Sequence, residues 1–274
     1  MRTHLLSLLL LGTLTLSACD GRGEDTEAPE GDTDTDTDAD TDTDTDTDTD
    51  ADTDVTGFAV EGMAVNLMDG TGAAEGLCVH AADPTPAMAG GEIEVLATST
   101  VGATGVYSVP GIETDSAVGL LMLVADCADE GTVMPTATGI ATDSYAGLGD
   151  GDVIADRVIY SIDTASQGAM AAGLAGAGYA GDLAVDGALV GFVFDAAGTP
   201  VDGAVVTGPD GFPTYYFTGA GFTTDATVAA AKAMFVIPAG PIYSYSAAAD
   251  GHDFDSILAG SQPGFAVIVA FDGL

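Results

Sequence analysis

Two aspartates at i and i+2 in a glycine-rich stretch, Gly149-Asp150-Gly151-Asp152, are the residues whose types and spacing come nearest to a site in this 274-residue chain. Asp150 and Asp152 suit the flexible oxygen shell of calcium, and Asp143, Asp156 and Asp163 follow or precede them closely. A plain acidic turn is the favoured reading of the same residues. Calcium is therefore the one candidate cofactor, and no other is expected. His80 and His252 are the only imidazoles after His4. No His-Glu-x-x-His pair and no phosphate-cradling loop occurs, and Gly260-Ser261-Gln262-Pro263-Gly264 carries its serine one place early for a nucleophile elbow. Gly251-His252-Asp253-Phe254-Asp255 reads as a turn, and His80 as a solvent-facing strand residue. No catalytic residue is assigned, and enzyme activity is not expected. The aromatic cluster Phe212-Pro213-Thr214-Tyr215-Tyr216-Phe217, with Phe222, has two equal readings. Tyr215, Tyr216 and Phe217 could stack on a sugar ring or fill a partner's pocket, or they could be core.

The elements that would position these residues lie behind a low-complexity tract. From Asp32 to Asp54 aspartate occupies every even position, with threonine or alanine between, and this tract supplies part of a formal net charge of −39. It cannot bury enough apolar surface to offset its ordering entropy and is expected to stay disordered. Successive carboxylates in an extended chain lie about 7 Å apart, inside the roughly 8 Å Debye length of physiological salt, so repulsion stiffens it. The tract reads as a stalk rather than a calcium site, because dispersed carboxylates without a turn-forming glycine make no cage. Downstream, only Arg157 and Lys232 are strong bases. Nucleic acid is excluded as a partner, since almost nothing neutralises phosphates.

Ahead of the stalk, Arg2, the apolar run from Leu5 to Leu16 and the small residues Ser17 and Ala18 have the three parts of a secretory signal. Leu16-Ser17-Ala18-Cys19 resembles the lipobox of bacterial lipoproteins. That resemblance implies that Cys19 becomes the first mature residue and carries a diacylglyceryl group and an N-acyl chain. Since each buried methylene adds about 0.8 kcal/mol, two or three chains would hold the protein on a membrane without a spanning helix. With Cys19 acylated, Cys78 and Cys127 remain as an even pair in an oxidising compartment, and a disulfide between them is expected. The only imidazole near them is His80, which argues against zinc.

The rest contains a repeat. The second copy runs Gly191-Phe192-Val193-Phe194-Asp195-Ala196-Ala197-Gly198-Thr199-Pro200-Val201-Asp202-Gly203-Ala204-Val205-Val206 and then Phe235-Val236-Ile237-Pro238. The first runs Gly62 to Gly72, Gly76-Leu77-Cys78-Val79 and Tyr107-Ser108-Val109-Pro110. Each orders a strand, an Asp-x-x-Gly turn, a strand, a variable middle, and an aromatic-x-Val/Ile-Pro strand. The aspartate supplies an Asx acceptor and the glycine a free φ, so the strand folds back. This pattern resembles the carboxypeptidase regulatory-like domain, a prealbumin-like β-sandwich. The resemblance is good over Gly191 to Gly251, and weaker in the first copy, where Ala74-Glu75 replaces Pro-Val. It implies a non-catalytic module.

The expected fold is all-β: two tandem seven-stranded sandwiches with a short linking helix. The expected boundaries are a signal peptide at 1–18, the lipidated cysteine and stalk at 19–55, sandwich 1 at 56–163, a helical linker at 164–186 and sandwich 2 at 187–274. Thr164-Ala165-Ser166-Gln167 has capping-box spacing for the linker helix, with a flexible Gly/Ala linker as the competing reading. The expected function is a membrane-anchored envelope lipoprotein displaying these modules to an envelope protein or glycan. The alternatives are a structural spacer or shield, and an accessory module of a secreted enzyme system. The expected location is the cell envelope, with the outer membrane or cell surface favoured over the inner membrane.

Overall fold

In the first strand Phe58, Val60, Ala64 and Asn66 are buried while Glu61 is exposed and Met63 lies at the surface, the period-two alternation that folds a segment as a sheet covered on one face. The computed structural model describes residues 56–89, 91–128 and 130–274. These residues belong to one compact unit. The signal segment, Cys19 and the stalk lie outside the described residues.

The strands are β1 (Phe58–Asn66), β2 (Cys78–Asp83), β3 (Glu94–Thr100), β4 (Val106–Ile112), β5 (Leu120–Ala125), β6 (Val133–Met134), β7 (Thr136–Ile140) and β8 (Val153–Asp163), with a one-turn helix α1 (Thr85–Met88) between β2 and β3. Two helices follow, α2 (Thr164–Gly176) and α3 (Leu183–Asp186). The second half adds β9 (Ala188–Phe194), β10 (Val205–Thr207), β11 (Tyr215–Phe217), β12 (Phe222–Thr223), β13 (Met234–Pro238), β14 (Tyr243–Ala248), β15 (Ile257–Ala259) and β16 (Ala266–Asp272).

The protein is all-β and built of packed sheets, as the sequence pattern predicts, with eight strands rather than seven in each half. The halves share a sheet. Nine strands run β12-β11-β13-β9-β16-β7-β5-β2-β3, and β16 pairs in parallel with β9 on one side and with β7 on the other. A four-stranded sheet, β4-β1-β8-β6, covers one face of the first-half strands and encloses a core of Val60, Tyr107, Ile112, Met122 and Ile159. On the same face of the second-half strands, Met170 and Leu174 of α2 and Leu183 of α3 pack over Val190, Phe192 and Ile268. The opposite face of the second half is covered by a three-stranded sheet, β10-β14-β15, over Leu189, Phe235, Ile237 and Phe271.

At Gly62 and Gly191 a side chain has no room. The pairing of β1 with β8 shifts register between Val60 and Gly62, and a Cβ on Gly62 would stand 1.8 Å from the carbonyl oxygen of Arg157. A Cβ on Gly191 would stand 2.2 Å from the ring of Phe235, so this strand carries glycine where the ring crosses it.

The linker helix is present, with its cap one residue earlier than the capping-box spacing suggests. Asp163 is the N-cap, and its Oδ1 accepts from the Ser166 amide at 2.6 Å. The Thr164 amide is taken by the Thr132 carbonyl at 3.1 Å.

Candidate functional site

The sequence-predicted site residues do not converge. Cys78, on β2, is bonded to Cys127 in the turn after β5, across 49 residues of chain. The expected disulfide is therefore present, and it staples the end of the sheet next to the β3 edge. Cys19 lies outside the described residues.

The candidate calcium ligands are spent on the backbone. Asp150 Oδ1 accepts from the Gly57 amide at 2.6 Å, and Asp152 Oδ2 accepts from the Gly149 amide at 2.8 Å. Asp163 caps α2 and also accepts from Asn66 Nδ2 at 2.9 Å. Among the described residues no group of three or more His, Cys, Asp or Glu side chains is placed to hold an ion. Asp150 and Asp152 have the geometry of the acidic-turn reading: these carboxylates close a loop over the start of β1. That loop forms one wall of an open cleft of about 500 Å³, lined by Phe58, Ile112, Tyr145 and Leu148 with Glu113 and Asp115 at its rim.

Of the two readings of the tyrosines, the structure has the core one. Tyr215 and Tyr216 are 4% and 1% exposed, on opposite faces of the nine-stranded sheet. Tyr216 reaches the β10 backbone, where its hydroxyl accepts from the Val206 amide at 2.8 Å and lies 3.4 Å from the Val206 carbonyl. Burial pushes that phenol above its ordinary range. Phe217 is half-buried against Phe222, with ring centroids 5.5 Å apart. Tyr216 can be buried because its hydroxyl has a backbone partner and leaves no polar atom unpaired.

The histidines stand apart. His80 Nδ1 is 2.9 Å from Thr98 Oγ1 on β3, and burial lowers its pKa. His252 is stacked on Phe254 in the turn after β14. Several carboxylates serve turns. The Thr199 amide, opposed by modest burial and helped by the Ala197 amide, holds Asp195 below the usual carboxylate range. For Asp126 burial acts upward, but bonds from Thr132 and Val133 outweigh it and lower the carboxyl.

Two groups escaped the sequence reading. Lys232, in left-handed conformation at φ 64°, sends its ammonium to the carbonyls of Leu67 and Met68 at 3.2 and 3.3 Å, joining the second half to the first. The other is a surface: the outward positions of the three-stranded sheet are Val205 and Thr207 on β10, Ser244, Ser246 and Ala248 on β14, and Leu258 on β15, all exposed. Cross-strand pairs set Val205 beside Ala248, Thr207 beside Ser246 and Ser244 beside Leu258. No member of this face is ionisable. The signal for it was the charge-free alternation Tyr243-Ser244-Tyr245-Ser246-Ala247-Ala248.

No family model matches the chain, and no curated protein matches it. Among solved structures, the Bacillus anthracis TIE protein is similar at 13% identity and a TM-score of 0.24, over 79% of this chain and 34% of that one. The shaft pilin SpaA from Lactobacillus rhamnosus GG is similar at 10% identity and a TM-score of 0.22, over 80% of this chain and 98% of that one. The chain thus spans about a third of the length of the TIE protein chain it matches.

Proposed function

We propose that this chain is a lipid-anchored envelope protein whose β unit is a non-catalytic display module for a protein or carbohydrate partner. One observation carries the reading: the carboxylates and the tyrosine that came nearest to a site are turned toward the backbone they organise. Asp126, Asp150, Asp152, Asp163 and Asp195 each accept main-chain amides, and Tyr216 is bonded to Val206. A carboxylate held this way shapes loops and sheet faces instead of waiting for a proton or a metal. The anchor at Cys19, the acidic stalk and the rigid sheets would then form a presentation device, in that order along the chain.

The experiment has two arms. In cells fed an alkyne-tagged fatty acid, the label follows the wild-type protein and is lost from Cys19→Ser. In protease shaving, proteinase K is used because trypsin finds only Arg157 and Lys232 in the folded unit. Release of β-unit peptides from intact cells, with a periplasmic marker uncut, supports surface display. Protection until the outer membrane is permeabilised puts the module in the periplasm and refutes cell-surface display.

A further inference from the structure

The geometry points to the cleft walled by the Asp150 loop as a binding site for a primary alkylammonium ion, the group that a lysine side chain or a free alkylamine carries on a carbon stem. The assignment concerns the folded unit alone and goes beyond the display reading. Its base, its rim and the combination of the two select this ligand.

The base of the cleft is carbon. Its volume of about 500 Å³ is that of a small-ligand site. Phe58 and Tyr145, stacked with ring centroids 5.8 Å apart, line it with Ile112 and the half-buried Leu148. The Tyr145 hydroxyl is turned away to the Ser116 carbonyl, to which it donates at 2.9 Å. The ring therefore meets a ligand through carbon, as an aliphatic stem requires.

The rim is anionic and has carboxylate oxygens to spare. Glu113, Asp115 and Asp150 line the cleft, and neither strong base of the folded unit, Arg157 or Lys232, does. Gly57 brings two of these carboxylates together from separate segments. Its amide holds Asp150 through Oδ1 alone, and a Cβ on it would stand 3.1 Å from Glu113 Cγ. Glu113 and Asp115 are exposed, and no hydrogen bond among the described residues occupies either. They differ in this from Asp126, Asp163 and Asp195, which organise loops and a helix cap.

Carbon below and carboxylates above decide between ligand classes. A metal ion takes oxygens on most sides, and the base supplies none. An anion is repelled by a molecule of net charge −39. A neutral ligand would strip water from the carboxylates and return no charge. An alkylammonium ion lays its stem on the base and turns three N–H donors to the rim.

The test is amide chemical-shift mapping by NMR on the full mature chain in a nonionic detergent at fixed ionic strength. The readout is the Gly57, Gly147 and Gly149 amides of the cleft, because the aspartate tract draws any cation. The probes are methylammonium, propylammonium and pentylammonium, with 1-pentanol as the neutral comparison and a blocked alanine-lysine-alanine peptide. The expected result is saturable shifts at the cleft with pentylammonium and none with pentanol. Affinity should rise with stem length by up to about fourfold per methylene, whereas a merely acidic surface would bind the three amines alike. The double variant Glu113→Gln/Asp115→Asn should weaken pentylammonium by about tenfold or more. Glu94→Gln, exposed on β3, should leave it unchanged. All three positions are exposed, and unaltered shifts elsewhere show that the variants fold. Tighter binding of the peptide than of pentylammonium assigns the site to a protein lysine, and the reverse assigns it to a free amine. Absent shifts at the cleft, equal affinity for methylammonium and pentylammonium, or full binding by the double variant overturns the assignment. The fatty-acid and shaving results do not depend on the cleft, so failure here leaves the display reading standing.

Discussion

Asn66 Nδ2 donates to Asp163 Oδ2 at 2.9 Å, tying the end of β1 to the residue that both closes β8 and caps α2. Asn66 Oδ1 accepts from the Met68 amide and from Ser166 Oγ. Five polar groups are thereby satisfied in one knot beneath the first turn of the helix. Asp163→Ala removes the cap and orphans the buried Asn66 amide, at a cost of about 2–4 kcal/mol. Thermal melting would measure it, and Asp163→Asn, which keeps an acceptor, should recover part.

Lys232 should behave as a clip between the halves. Lys232→Met keeps the aliphatic stem and loses the two carbonyl partners. Because the side chain is exposed, the loss should be about 1 kcal/mol, a fall of about 2–4 °C in Tm for a unit of this size. An unchanged Tm would show that the ammonium's bonds to Leu67 and Met68 hold nothing.

Reducing the Cys78–Cys127 bridge releases a loop of 49 residues. The chain-entropy account assigns such a loop about 4 kcal/mol. The double variant Cys78→Ser/Cys127→Ser should therefore unfold at clearly lower denaturant than the oxidised wild type, with the gap closing when the wild type is measured in reductant.

Tyr216→Phe isolates the hydroxyl. It leaves the Val206 amide without its partner at a buried position, and about 1–3 kcal/mol should be lost. Tyr216→Ala should cost about 3–5 kcal/mol through the cavity it opens. In both variants any change in partner binding should track the loss of Tm, as core residues require.

Asp195 gives a pH dependence with a definite sign. Its folded pKa is lowered, first by the Thr199 amide, so its contribution is present above the ordinary carboxylate value and is lost as pH falls through the lowered one. The difference in Tm between wild type and Asp195→Asn should be full at neutral pH and shrink on acidification below about pH 4. A constant difference from neutral to acid would refute the assignment.

Much of the fold was legible wherever a local signal existed. The Asp195-x-x-Gly198 turn is built as its residues imply, with Oδ1 accepting from the Ala197 and Thr199 amides. Asp69 repeats the device with Thr71. What stayed hidden depends on distant partners. Nothing in Ala266–Asp272 says that this strand will sit between β9 and β7, because the choice is made by two sheet edges that local residues cannot see. Tyr216 was ambiguous for the same reason: its burial depends on the Val206 backbone, ten residues earlier, meeting its hydroxyl. The cap moved from Thr164 to Asp163 because Thr132, far back in the chain, offers the Thr164 amide a carbonyl.

The place of β16 also bears on how fast this protein reaches its native state. It follows every other strand of the unit in sequence, yet its parallel partners are Thr136–Thr138 and Ala188–Phe194. Long-range parallel pairing raises contact order, and loop closure must precede any gain from it. Until β16 inserts, the β7 and β9 edges both stand open, each able to recruit a stray strand from another chain. Refolding should be slow and concentration-sensitive, with each chain vulnerable to its copies until that strand is in place.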